Sequence, residues 1–162
     1  MATRLWAKAL ALEDGKSRTV IVTTDLIGLP RVITDVVSAR VQKQYGLDRA
    51  RLLFNSSHTH TGPVVRPNLI LMYDLDAEQQ QRVNRYADRL TEDLVTVIGA
   101  SLGDLAPARL SFGQGKAGFA VNRRQPDKGG IRIGVNPQGP VDHSVPVLKV
   151  SAPDGKLRAV LF

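Results

Sequence analysis

The sequence predicts an α/β fold: a mixed sheet with flanking helices, followed by β-hairpins, the whole being part of a larger domain. Three observations predict it. Residues 18–25 are a β-branched run, residues 32–45 carry apolar side chains at helical spacing, and residues 51–57 return to a strand. Strand, helix and strand in that order make a parallel crossover. Residues 76–102 repeat the helical period over a longer span, and beyond Pro107 the pattern changes to short strands between Gly- and Pro-rich turns.

Each element has a local reason. Residues 5–12 alternate loosely and are rich in Ala and Leu; Asp14-Gly15 joins them to the strand 18–25 as a hairpin, because Asp-Gly suits the turn geometry. Pro30 is acceptable in the first turn of a helix. Val32, Ile33, Val36, Val37, Val41 and Tyr45 form its predicted apolar stripe, and Gly46 its C-terminal cap. Residues 64–73, with Pro67, read as an irregular loop.

The long helix 76–102 takes Asp74 or Asp76 as N-cap. Its stripe is Val83, Tyr86, Ala87, Leu90, Leu94, Val97 and Ile98; Glu78, Arg82, Arg85, Arg89 and Glu92 are its wet side, and Gly99 and Gly103 help to end it. Next come a strand at 108–113, a loose connection at 115–118 and a segment at 120–124. A turn at 126–130, alternation at Ile131, Ile133 and Val135, and a tight turn at 136–140 follow. Strands at 145–150 and 157–162 enclose the turn 153–156. The last strand is apolar to its final residue and the first begins almost at residue 1, which predicts a piece of a longer protein.

The 162 residues are one domain's worth, and 43% hydrophobic with 23% charged residues is enough for a core. The 22 Lys and Arg against 15 Asp and Glu give a net charge of +7. That charge fits nucleic acid, an anionic surface or an acidic substrate. The basic residues are spread along the chain. The densest cluster, Arg123, Arg124, Lys128 and Arg132, has only Phe119 as a stacking platform, and aromatics are 5%. With no nucleic-acid motif, a nucleic-acid partner is not expected. Without cysteine there is no disulfide or thiolate metal site.

The chemistry concentrates in Asn55-Ser56-Ser57-His58-Thr59-His60-Thr61-Gly62-Pro63, which holds two of the three histidines. On an extended segment, residues two apart share a face, so His58 and His60 are expected to point the same way. They leave the carboxyl end of a strand, where open α/β sheets place their chemistry. Two imidazoles are half of a zinc site; a third protein ligand and a water complete a catalytic one. The same pair also reads as two polar-satisfied histidines beside a turn. Ser56, Ser57, Thr59 and Thr61 are expected to orient the rings. A metallo-β-lactamase-like site requires Asp-His after the pair, where Thr61-Gly62-Pro63 stands. An amidohydrolase barrel requires continued strand–helix alternation, which residues 107–162 lack.

Ser57-His58-Thr59-His60-Thr61-Gly62-Pro63 closely resembles the Ser-His-Thr-His-Ser-Gly-Pro motif of the neutral/alkaline, non-lysosomal ceramidases. Thr24-Asp25-Leu26-Ile27-Gly28 resembles the segment upstream of it, Asn122-Arg123 the family's Asn-Arg-Ser-Pro element, Asn136-Pro137 its Asn-Pro, and Val141-Asp142 its Val-Asp. The resemblance covers nearly the whole chain in order. It makes residues 1–162 the N-terminal portion of such a catalytic domain, truncated at both ends.

The resemblance implies a zinc-dependent amidase that releases sphingosine and a fatty acid from ceramide. His58 is then the first zinc ligand, His60 a neighbouring active-site histidine, and Arg123 the active-site arginine, whose charge can steady an oxyanion. One Zn2+ is implied, with its remaining ligands beyond residue 162, so the fragment by itself is expected to be inactive. A ceramide-like lipid amide is the implied partner, with contact to a membrane surface, and a secreted or periplasmic setting. Arg124-Gln125 replaces the family's Ser-Pro. His143 has no counterpart and is expected to face solvent; Asp142 is explained by turn capping. Two other readings stand beside this one: a hydrolase of the same fold acting on another amide or ester, and a non-catalytic basic domain that binds anionic surfaces or nucleic acid.

Overall fold

The computed structural model describes residues 4–68 and 70–162. Leu69, which opens the apolar run 69–72, lies outside the described residues, as does the start of the chain before Arg4. The chain divides into two compact units, Met1–Leu105 and Ala106–Phe162.

In the first unit, β1 (Ala7–Glu13) and β2 (Arg18–Thr24) pair antiparallel from Ala7↔Thr24 to Glu13↔Arg18. Their turn is closed by a side chain: the N–H groups of Lys16 and Ser17 donate to Asp14 Oδ1 at 3.0 and 2.8 Å. The chain then crosses through α1 (Arg31–Tyr45) to β3 (Leu52–Ser56), which pairs parallel with β2 from Val20↔Leu52 to Thr24↔Ser56. The sheet order is β1-β2-β3. The expected crossover is therefore present. α2 (Ala77–Gly103) follows, and both helices join one core with Val20, Val22 and Leu52. Each fully buried Val or Leu in it is worth about 1.5–3 kcal/mol.

The face that α1 buries differs from the predicted one. Ile33, Val37 and Val41 are buried as expected, but so are Thr34 and Ser38, whereas Val32 and Val36 are 56% and 49% exposed. The hydroxyls make this possible. Thr34 Oγ1 donates to the Arg31 carbonyl and Ser38 Oγ to the Thr34 carbonyl, at 3.0 and 2.6 Å, so neither is buried unpaired. Gly46 caps the helix in the left-handed conformation, φ 65°, with its N–H on Gln42 O.

α2 begins with a capping box. Asp76 accepts from the Gln79 N–H, and the Gln79 side chain accepts from the Asp76 N–H. The predicted wet side is exposed; of the predicted dry side Ala87, Leu90, Leu94 and Ile98 are buried and Val83, Tyr86 and Val97 half-buried, while Val95, outside the predicted stripe, is buried too. Gly99 does not end the helix. A Cβ there would lie 2.1 Å from the Tyr45 hydroxyl, so this glycine makes room for the end of α1. Arg40 of α1 grips Glu92 of α2 with both guanidinium nitrogens, one of them at 2.6 Å.

The second unit contains β4 (Arg109–Lys116), β5 (Arg124–Asp127), β6 (Gly130–Ile133), β7 (Ser144–Ser151) and β8 (Leu157–Leu161). β4, β7 and β8 form an antiparallel sheet in the order β4-β7-β8, and β5-β6 is a separate two-stranded hairpin. β4 continues to Lys116, so the expected loose connection at 115–118 is shorter. The middle hairpin turns at Lys128-Gly129 alone, with Pro126 and Asp127 in its first strand, and β6 stops before Val135. Pro126 is tolerated because an isolated hairpin is all edge. Among the described residues no helix is long and apolar enough to cross a membrane.

Candidate functional site

β2 and β3 run parallel, so their carboxyl ends emerge together, and the segments that leave them stay joined. The Ser57 N–H donates to the Thr24 carbonyl and the Thr59 N–H to the Leu26 carbonyl, at 2.9 and 3.2 Å. Upstream, the Trp6 N–H donates to Asp25 Oδ2 at 2.9 Å, which anchors the 24–27 segment to the chain entering β1.

His58 and His60 come together, but not through strand alternation. β3 ends at Ser56, and His58 sits at φ 60°. It is the one non-glycine residue with positive φ among the described residues. Such a conformation costs about 1–3 kcal/mol and gathers at functional sites. The exposed rings lie edge to face, with centroids 4.7 Å apart and planes at 76°.

The His58 ring is held by a backbone group. Its Nδ1 is 2.8 Å from the Ile27 carbonyl. A carbonyl only accepts, so Nδ1 carries the proton. In the neutral ring Nε2 then keeps its lone pair, which is how a metal-binding imidazole is prepared. The hydroxyls of Ser56, Ser57 and Thr59 do not perform the orienting expected of them. Ser57 Oγ and Thr59 Oγ1 bond each other at 2.7 Å, and Ser56 Oγ bonds Thr24 Oγ1 at 2.9 Å. They brace the turn instead. The Ile27 carbonyl is the partner that sequence reasoning missed, since any residue supplies one.

These residues fit part of a zinc site. The proton placed on His58 Nδ1 and the second ring nearby suit two nitrogen donors, but no group of three or more His, Cys, Asp or Glu that could hold a metal occurs among the described residues. An open cleft of about 630 Å³ also adjoins β3, lined by Leu29, Arg31, Thr34, Asp35, Arg49, Phe54 and Ser56. Neither histidine lines it. Arg49 stacks over Phe54 at 5.4 Å and donates to the Leu52 carbonyl at 2.7 Å.

Arg123 belongs to the second unit, where it is exposed. The backbone around it is knit to the Asn136 turn. Asn122 Nδ2 donates to the Pro140 carbonyl at 3.0 Å, Asn122 Oδ1 accepts from the Arg124 N–H at 2.9 Å, and Asn136 Nδ2 donates to the Arg124 carbonyl at 2.9 Å. The Gly134 N–H donates to the Arg123 carbonyl at 3.1 Å. A Cβ on Gly139 would fall 2.4 Å from Asn122 Cγ, so only glycine fits beneath that amide. Asn122-Arg123 and Asn136-Pro137, separate in sequence, are thus one assembly.

His143 is exposed as expected, with Nδ1–H donating to the Ala117 carbonyl at 3.0 Å. Asp142 accepts from the Ser144 N–H at 2.8 Å, and the Ser144 hydroxyl and N–H hold its carboxyl below the usual carboxylate range. Turn capping therefore accounts for Asp142.

Two solved structures share this arrangement of elements. The fold is ceramidase-like. A ceramidase complexed with C2 matches with a TM-score of 0.70 and 24% identity over 97% of this chain. The neutral ceramidase from Pseudomonas aeruginosa matches with a TM-score of 0.68 and 24% identity over 95%. The chain spans 25% of the length of each, about a quarter of those ceramidases. No protein-family model matches the sequence. No curated protein matches it either. At this identity the ceramidase-like likeness describes the fold.

Proposed function

We propose that this chain is the histidine-bearing portion of a zinc-dependent amide hydrolase acting on ceramide-like lipid amides. The observation that carries the reading is the His58 ring, with Nδ1–H committed to Ile27 O and its other nitrogen left as a donor beside His60. The ceramidase-like fold supports the substrate class. His58 acts as a zinc ligand. His60, its ring centroid 4.7 Å from that of His58, acts as the neighbouring active-site histidine. Arg123 keeps the role that the resemblance implies for it, a positive charge for an oxyanion. When bound, zinc supplies Lewis acidity and an activated water. The donors missing from the described residues come from the remainder of a longer polypeptide.

Zinc calorimetry tests this. His58→Ala is expected to lower zinc affinity at least about tenfold, the lower end of what losing even a partner of a metal ligand costs. Zinc binding indifferent to His58→Ala would sink the reading. The 162-residue chain is expected to show no zinc-dependent hydrolysis of an N-acylsphingosine by itself. Turnover by it would overturn the dependence on outside ligands. A substrate panel on the longer protein separates lipid amides from other amides or esters.

A further inference from the structure

Three carbonyls from one short segment hold the histidine turn. The Thr24, Leu26 and Ile27 carbonyls accept from the Ser57 N–H, the Thr59 N–H and His58 Nδ1–H, at 2.9, 3.2 and 2.8 Å. A left-handed non-glycine residue such as His58, φ 60°, persists only where its surroundings over-determine it. Residues 24–27 supply those surroundings, so whatever fixes them also fixes the ring.

Leu26 is one anchor, its side chain buried in the core. The other is Asp25. The register Ala7↔Thr24 makes Trp6 and Asp25 the next pair outward along β1 and β2. A hydrogen-bonded antiparallel pair exchanges two bonds, N–H to carbonyl in both directions. One is present: the Asp25 N–H donates to the Trp6 carbonyl at 2.9 Å. In the other direction the Trp6 N–H donates to Asp25 Oδ2, also at 2.9 Å. The carboxylate stands in for the carbonyl of its own residue. The rung is complete, yet the main chain is not committed to it beyond the Asp25 N–H, and it bends away through residues 25–27. That bend lets the Leu26 and Ile27 carbonyls reach Thr59 and His58.

We propose that Asp25 is a positioning residue of the histidine site. By closing the rung with its side chain it aims the Ile27 carbonyl, which keeps the proton on His58 Nδ1 and leaves the Nε2 lone pair bare. It acts through that carbonyl and not on the ring itself. Its purpose rests on the zinc-hydrolase reading, which needs a bare ring nitrogen. The tautomer can be read without metal or substrate, so failure of this proposal is distinguishable from failure of that reading.

The test is a long-range proton–nitrogen NMR spectrum of the imidazoles in the whole chain, without zinc, in mildly alkaline buffer where the rings are neutral. The parent is expected to show His58 with a protonated Nδ1 and a bare Nε2. In Asp25→Ala the ring is expected to be released, its two nitrogen shifts averaging between tautomers. Asp25→Asn keeps an accepting oxygen and should keep the parent pattern. Asp14→Ala removes a similar side-chain brace at the far end of the same hairpin and should change nothing at His58. Zinc affinity, by calorimetry, should fall about tenfold in Asp25→Ala, as for an outer partner of a metal ligand, and stay near the parent in Asp25→Asn. Circular dichroism checks folding. If Asp25→Ala does not fold, Trp6→Pro deletes the same bond from the donor side, with Trp6→Ala, which keeps the N–H, as its control. An unchanged His58 tautomer in folded Asp25→Ala or Trp6→Pro, an equal change in Asp14→Ala or Trp6→Ala, or loss of the parent pattern in Asp25→Asn would each overturn the proposal. A released tautomer with unchanged zinc affinity would uphold the positioning and count against His58 as a zinc ligand.

Discussion

The two units are held by different forces. Of the 15 buried hydrophobic side chains among the described residues, 14 belong to the first unit and one, Val150, to the second. The first unit has two helices laid on a three-stranded sheet, and burial of area stabilises it. The second has strands exposed along most of their length, with β4 exposed throughout, and its loops are joined by Asn122, Asn136 and Asp142. The first unit should therefore respond to lost volume, and the second to lost turn geometry.

The largest expected effect tests the first half of that contrast. Leu94→Ala removes a fully buried side chain and should cost about 2–5 kcal/mol in urea unfolding. A loss no larger than the roughly 0.5 kcal/mol of surface changes would break the contrast. Gly139→Ala tests the other half. It changes no buried apolar area, yet it should displace Asn122 and cost about 1–3 kcal/mol. Amide hydrogen exchange at Gly134 and Asn136 reads it directly; unchanged protection there means the turn assembly is not what holds this unit.

Asp76→Ala removes the capping box of α2 and should cost about 1 kcal/mol. Thermal unfolding followed at helical wavelengths checks it, and an unchanged midpoint counts against the cap.

The smallest effect is conditional on pH. The hydrogen bond from Arg40 lowers the Glu92 carboxyl below its ordinary value of 4.5. A depressed carboxylate contributes stability above that value, which is lost as pH falls through the lower folded one. Arg40→Ala should therefore lower Tm slightly at neutral pH, and the gap from the parent should close below about pH 4.5. A gap that persists in acid would assign the effect to packing of the Arg40 stem.

Much of the fold was legible residue by residue. The Asp14-Gly15 turn, the crossover through α1, the N-cap of α2 at one of the two acids offered for it and the turn at Asn136 are all local chemistry, and each lies where local chemistry puts it. The His58/His60 pair was identifiable as well, but not the reason the rings meet. Alternation on a strand predicted their shared direction. The structure ends the strand at Ser56 and turns the chain through a left-handed His58. No pattern of side chains signals a backbone carbonyl 31 residues away.

By itself the sequence determined the order and type of the elements through α2, the separate character of the stretch after Pro107, and the histidine pair at a strand's end. These follow from period, turn chemistry and capping, which act over a few residues. Only the tertiary structure decided that Thr34 and Ser38 turn inward while Val32 and Val36 face out, that Gly99 seats Tyr45, and that Ile27 fixes the proton on His58. Those outcomes depend on which surfaces meet across long sequence distances. Packing chooses a helix face by the fit of its neighbours, and a buried hydroxyl costs little once a carbonyl in the preceding turn accepts its proton.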